Sequence, residues 1–128
     1  MTGTKQYSGW VMFSWLIFFL AGVANLAFGA AALIRAGYFP ETPGAGFLAD
    51  EIQALGWAWI IGGAIELVLC YGIWSRAGWG RVLGIAWAIV MAVFWFFDML
   101  YLPVIGLTMI IIYVLVIYGL ASEKEQFS

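Results

Sequence analysis

The fold class this sequence predicts is all-α, an integral membrane four-helix bundle running up-down-up-down, and three observations predict it. Of the 128 residues, 66% are hydrophobic and 9% charged, where a soluble domain has about 45 to 50% and about 25%. Five Lys or Arg and seven Asp or Glu make twelve charged residues, and all but Glu66 and Asp98 lie outside the long apolar runs. Those runs number four, each close to the roughly 20 residues that cross about 30 Å of hydrocarbon.

The first helix is expected over about 10–34, because nothing between Lys5 and Arg35 is charged. A cleaved leader is rejected as a reading of this run, which far exceeds the roughly 7 to 15 apolar residues of a signal peptide's core. A turn-rich stretch with Pro40, Pro43, Gly44 and Gly46 follows, and the outer loop is set at about 35–51. The second helix runs over about 54–74 and contains Glu66. The short connection from Arg76 to Arg81 leads to a third over about 82–100, and Pro103 breaks the chain before a fourth over about 104–121. Tight connections force antiparallel neighbours, so 1–128 reads as a single transmembrane domain. The tail from Ser122 onward, with Glu123, Lys124 and Glu125, reads as a solvated helix end.

Orientation follows from Lys and Arg in the short loops. A cytoplasmic N-terminus collects Lys5, Arg76, Arg81 and Lys124 on one side and leaves Arg35 on the other, so both termini are expected in the cytoplasm. Trp10, Trp15, Trp57, Trp59, Trp74 and Trp79 fall near span ends, as aromatic belts require, so most of the tryptophan needs no ligand to explain it.

The inventory excludes several kinds of chemistry. There is no histidine, hence no imidazole base and no imidazole ligand for a metal. Cys70 is the one cysteine, which leaves no disulfide or redox pair and suits a small apolar filler. A net charge of −2 offers no basic stripe for phosphates, so nucleic acid is not an expected partner. No cofactor and no metal are expected.

Glu66 is the candidate for function. An ionised carboxylate in mid-span costs several kcal/mol unless paired or solvated, so the side chain should face protein. Ala58, Gly62, Glu66 and Cys70 follow at four-residue intervals and suggest a face on which another helix packs closely. Two readings stay open: a proton or cation site, or a carboxyl that serves as packing glue. Helical rise places Asn25 within about 5 to 8 Å of Glu66 in depth, within reach of a hydrogen bond, and its series with Ala21 and Gly29 marks an interface. Asp98 lies about 25 Å along its helix from Arg81, near the outer boundary, where it is either solvated beside Arg35 or part of an entry site with Tyr101. Phe94, Trp95, Phe96 and Phe97 cover more than one face and must meet lipid or a partner. Gly80, Gly84, Ala88 and Ala92 form a small-residue row that permits helix packing inside the chain or between chains.

Several segments match in order and spacing: Tyr7 to Phe13, Ala21 to Leu26, Gly56 and Trp57, Gly80 to Ile85, Leu102 and Pro103, and Val116 to Leu120. Together they resemble a family of small actinobacterial four-helix membrane proteins known mainly as a domain of unknown function. The resemblance implies a four-helix fold and residence in an actinobacterial-type plasma membrane, and it brings no activity with it. Members often carry a histidine shortly after the Gly-Trp pair and an acidic residue in the last helix, where this sequence has Trp59 and Tyr113.

The function expected is that of a non-enzymatic small integral membrane protein, a structural or accessory subunit of a homo-oligomer or larger membrane complex, with membrane lipids around it. The alternative is a small proton- or cation-coupled carrier that uses Glu66.

Overall fold

A computed structural model describes residues 8–36 and 45–127, and the side chains of 8–34 and 54–127 among them. Four α-helices follow one another among the described residues: α1 (Gly9–Ala36), α2 (Ala45–Trp74), α3 (Gly78–Asp98) and α4 (Pro103–Ser122), with a 3-10 turn at Lys124–Gln126. The described residues contain no strand. Each helix is long and apolar enough to cross a membrane, over Gly9–Ile34, Ala54–Trp74, Gly78–Asp98 and Pro103–Ser122. The chain is an all-α multi-pass membrane protein, as its charge-free runs predict.

The helix bounds differ from the expected ones most at the start of α2, which begins at Ala45 rather than about 54. Of the outer loop expected over about 35–51, residues 45–51 are helical and 37–44 lie outside the described residues. The intervening sequence has no proline and only one β-branched residue, Ile52, so nothing prevents helical hydrogen bonding from continuing past the hydrocarbon edge. A count of uncharged residues locates that edge, and the spanning part of α2 does start at Ala54. In the same way α3 begins four residues before Val82, with Arg81 inside its first turn. Pro103 stands in the first turn of α4, where its missing N–H costs no helical bond.

The chain divides into two compact units, one formed by the described residues up to Ile17 and from Leu69 onward, the other by those within Phe18–Val68. The second unit pairs α1 with α2 through backbone contact. A methyl group on Gly63 would lie 2.8 Å from the carbonyl oxygen of Gly22, and one on Gly29 would lie 2.7 Å from that of Gly56. Gly22 and Gly29 are seven residues apart, as are Gly56 and Gly63, so two turns of each helix present glycine to glycine in antiparallel register. Phe28 and Trp59 add a ring contact, centroids 6.2 Å apart.

The first unit contains α3 and α4, antiparallel across the turn Met99–Leu102, and the near ends of α1 and α2. Here Gly80 rests directly on the backbone of Gly72, with no room for a Cβ. The loop from α2 to α3 closes as a Schellman motif: Ala77 N–H donates to Gly72 O (2.9 Å) and Arg76 N–H to Ile73 O (3.0 Å). Arg76 takes the left-handed position of that motif at φ 60°, a place usually given to glycine. Ser8 caps α1, its Oγ accepting from Trp10 N–H at 3.0 Å and Val11 N–H at 3.4 Å.

Candidate functional site

The Asn25 side-chain amide donates from Nδ2 to Glu66 Oε1 at 2.5 Å, joining α1 to α2 inside the second unit. Helix geometry explains how they meet. Asn25 follows Gly22 by three residues and Glu66 follows Gly63 by three, so in antiparallel helices their Cα atoms sit about 4.5 Å to opposite sides of the Gly22–Gly63 contact. Side chains tilt toward the N-terminus of their own helix, which turns both toward that contact and toward each other. The glycines keep the backbones close enough for the short amide to reach. Glu66 is fully buried and Asn25 half-buried, so the bond is shielded from water. An amide donor held on a buried carboxyl can fix two helices together, and the same carboxyl is a group able to hold a proton or a cation.

The small residues assigned to the Glu66 face differ in burial. Ala58 is exposed and Gly62 half-buried, while Gly56, Gly63 and Cys70 are buried with Glu66. Four residues advance a helix by about 400°, so a four-residue row drifts about 40° per step around the axis. Ala58, two steps before Glu66, has left the interface by about 80°. The seven-residue glycine spacing drifts only about 20° per repeat, and it was the better signal. Of the α3 row, Gly80, Gly84 and Ala88 are buried and Ala92 half-buried. Within the first unit Gly80 meets Gly72, and Gly84 lies against Ile73 and Leu120, so at least these two residues serve packing inside the chain.

Asp98 is half-buried at the last turn of α3, and Tyr101 beyond it is 83% exposed. The Arg35 side chain expected beside Asp98 lies outside the described residues, as do residues 37–44. Among the described residues no group of three or more Asp, Glu or Cys side chains gathers as a metal ion would require.

Arg81 has a role that charge counting missed. Its Nε donates to Leu120 O at 2.7 Å and its Nη2 to Ala121 O at 3.2 Å, carbonyls of the last turn of α4 that lack helical partners. The cation also meets the negative end of that helix dipole. The tail is likewise more than a solvated end: Gln126 Oε1 accepts from Ser8 N–H at 3.3 Å and from Arg76 Nη1 at 3.5 Å. Trp57, Trp74 and Trp79 are exposed, as belt residues should be, whereas the indole N–H groups of Trp15, Trp87 and Trp95 are buried without an acceptor.

Comparison with known proteins gives one family. Residues 10–125 match the model described as a domain of unknown function (DUF7144), and the chain belongs to that family. Among the curated proteins and the solved structures nothing matches.

Proposed function

We propose that this chain, as a member of that family, is a non-enzymatic structural or accessory subunit of a homo-oligomer or larger complex in the plasma membrane. The carrying observation is the state of Glu66, whose mid-span carboxyl is fully buried and holds Asn25 across two helices in backbone contact. A group so enclosed serves assembly better than passage. Phe94, Phe96, Phe97 and Leu100 are all exposed on or just after α3, which supports a role beside other membrane components. The proximity of Arg76 to Gln126 and of Arg81 to the end of α4 gathers cations at the end where α1 starts and α4 stops. By the positive-inside rule this supports cytoplasmic termini.

The test is gentle nanodisc extraction of wild type and Glu66→Gln, followed by native mass spectrometry. Stoichiometric protein partners or a defined homo-oligomer, retained in Glu66→Gln, are expected. A lone monomer with nothing copurifying would remove the reading.

The polar pair at membrane depth also supports a second reading, a proton- or cation-coupled carrier. In that case Glu66→Gln abolishes coupled flux in proteoliposomes, and flux that survives the substitution excludes the mechanism.

A further inference from the structure

Where α1 begins and α4 ends, the first unit carries an open groove of about 700 Å³ lined by Ser8, Gly9, Trp10, Phe13, Leu115 and Glu123. This is within the roughly 300 to 1,000 Å³ of ligand sites. Its floor is fixed by packing. A methyl group on Gly119 would lie 2.9 Å from the Trp10 ring, so the absent side chain is what seats the indole there. Tyr118 and Phe13 then hold it edge-on, with centroids 5.1 and 6.1 Å away. The lining changes character with depth. Ser8 and Glu123 stand at helix ends, whereas Phe13 lies about 7 Å and Leu115 about 12 Å further along their helices by helical rise. A polar mouth over an apolar wall, at the end of membrane-spanning helices, matches the headgroup-to-chain gradient of a phospholipid.

The charge of the mouth selects the headgroup. Among the described lining residues the ionisable one is Glu123, at the C-cap of α4, two residues past the Ala121 carbonyl that Arg81 meets. The complementary positive end of α1 is already occupied, because Ser8 Oγ accepts from the N–H groups of Trp10 and Val11, which leaves little for a phosphate. We propose that this groove binds a phosphatidylethanolamine, its ammonium donating hydrogen bonds to Glu123 beside the aromatic rings and its acyl chain lying along Phe13 and Leu115. A quaternary ammonium cannot donate those bonds and phosphatidylglycerol carries no ammonium, so both phosphatidylcholine and phosphatidylglycerol bind less well.

The experiment is native mass spectrometry of the full chain from nanodiscs containing equal phosphatidylethanolamine, phosphatidylcholine and phosphatidylglycerol. Wild type should retain phosphatidylethanolamine about fivefold over each of the others, as a gain of about 1 kcal/mol gives. Glu123→Gln should bring the ratios to about one. Leu115→Trp, which fills the apolar wall and leaves the carboxylate, should lower the retained lipid with α-helical circular dichroism unchanged. Equal retention of all three lipids by wild type, or an unchanged preference in Glu123→Gln, overturns the proposal. Displacement of the lipid by tetraphenylphosphonium, with no preference among headgroups, overturns it in favour of a site for lipophilic cations.

Discussion

The two units of this protein hold their helices by different means. In Phe18–Val68, α1 and α2 touch through glycine backbones and are joined by a buried side-chain hydrogen bond, Asn25 to Glu66. In the other unit several polar contacts lie at helix ends: Arg81 on the last carbonyls of α4, the Schellman turn at Arg76, and Ser8 on the first N–H groups of α1. Lipid explains the contrast. Apolar side chains gain little from meeting one another rather than acyl chains, so mid-span association relies on close packing and on the few polar groups present. Near the interface the unpaired groups of helix termini supply many more sites for hydrogen bonds.

The largest effect should come where backbones touch. Gly80→Leu places side-chain atoms against the Gly72 backbone and should destabilise the first unit by more than about 3 kcal/mol, read from SDS titration followed by circular dichroism. Gly84→Ala meets only the ends of Ile73 and Leu120, at 3.1 Å, and should cost less than about 1 kcal/mol. Equal costs for the two would break the distinction between backbone and side-chain contact. Next in size is Arg81→Met, which removes two charge-assisted bonds to α4 and should cost about 1.5 to 3 kcal/mol in the same titration. It should also speed amide exchange in the last turn of α4 and leave the α1–α2 pair unchanged. Smaller and opposite in sign, Arg76→Gly relieves a left-handed residue and should stabilise by about 1 kcal/mol. A loss of stability there would show that the Arg76 side chain outweighs its backbone strain.

How much of this was legible in the sequence depends on what each signal measures. Runs without charge locate the hydrocarbon, so the four spans were readable, while the extension of α2 to Ala45 was not, because helices outlast the membrane. Helical rise put Asn25 and Glu66 at similar depth and so within reach of the hydrogen bond that joins them, but depth does not set which helix faces meet. Of the row Ala58, Gly62, Glu66 and Cys70, the last two are buried, Gly62 is half-buried and Ala58 is exposed. The drift of this row is about twice that of the seven-residue glycine pairs, which were present in the sequence and would have found the interface. Arg81 entered as a topological charge only. Its contact with α4 depends on a residue 39 positions away, which no local pattern encodes.

The claim at the centre of the account is that Glu66 and Asn25 hold α1 to α2. A double-mutant cycle tests it directly, with Asn25→Val, Glu66→Leu and their combination measured by SDS titration in mixed micelles. The account predicts a coupling of about 0.6 to 1.7 kcal/mol, the range of interhelical hydrogen bonds in membranes. Strict additivity of the two substitutions would contradict it, because the carboxyl would then be buried at mid-span without holding the helices together.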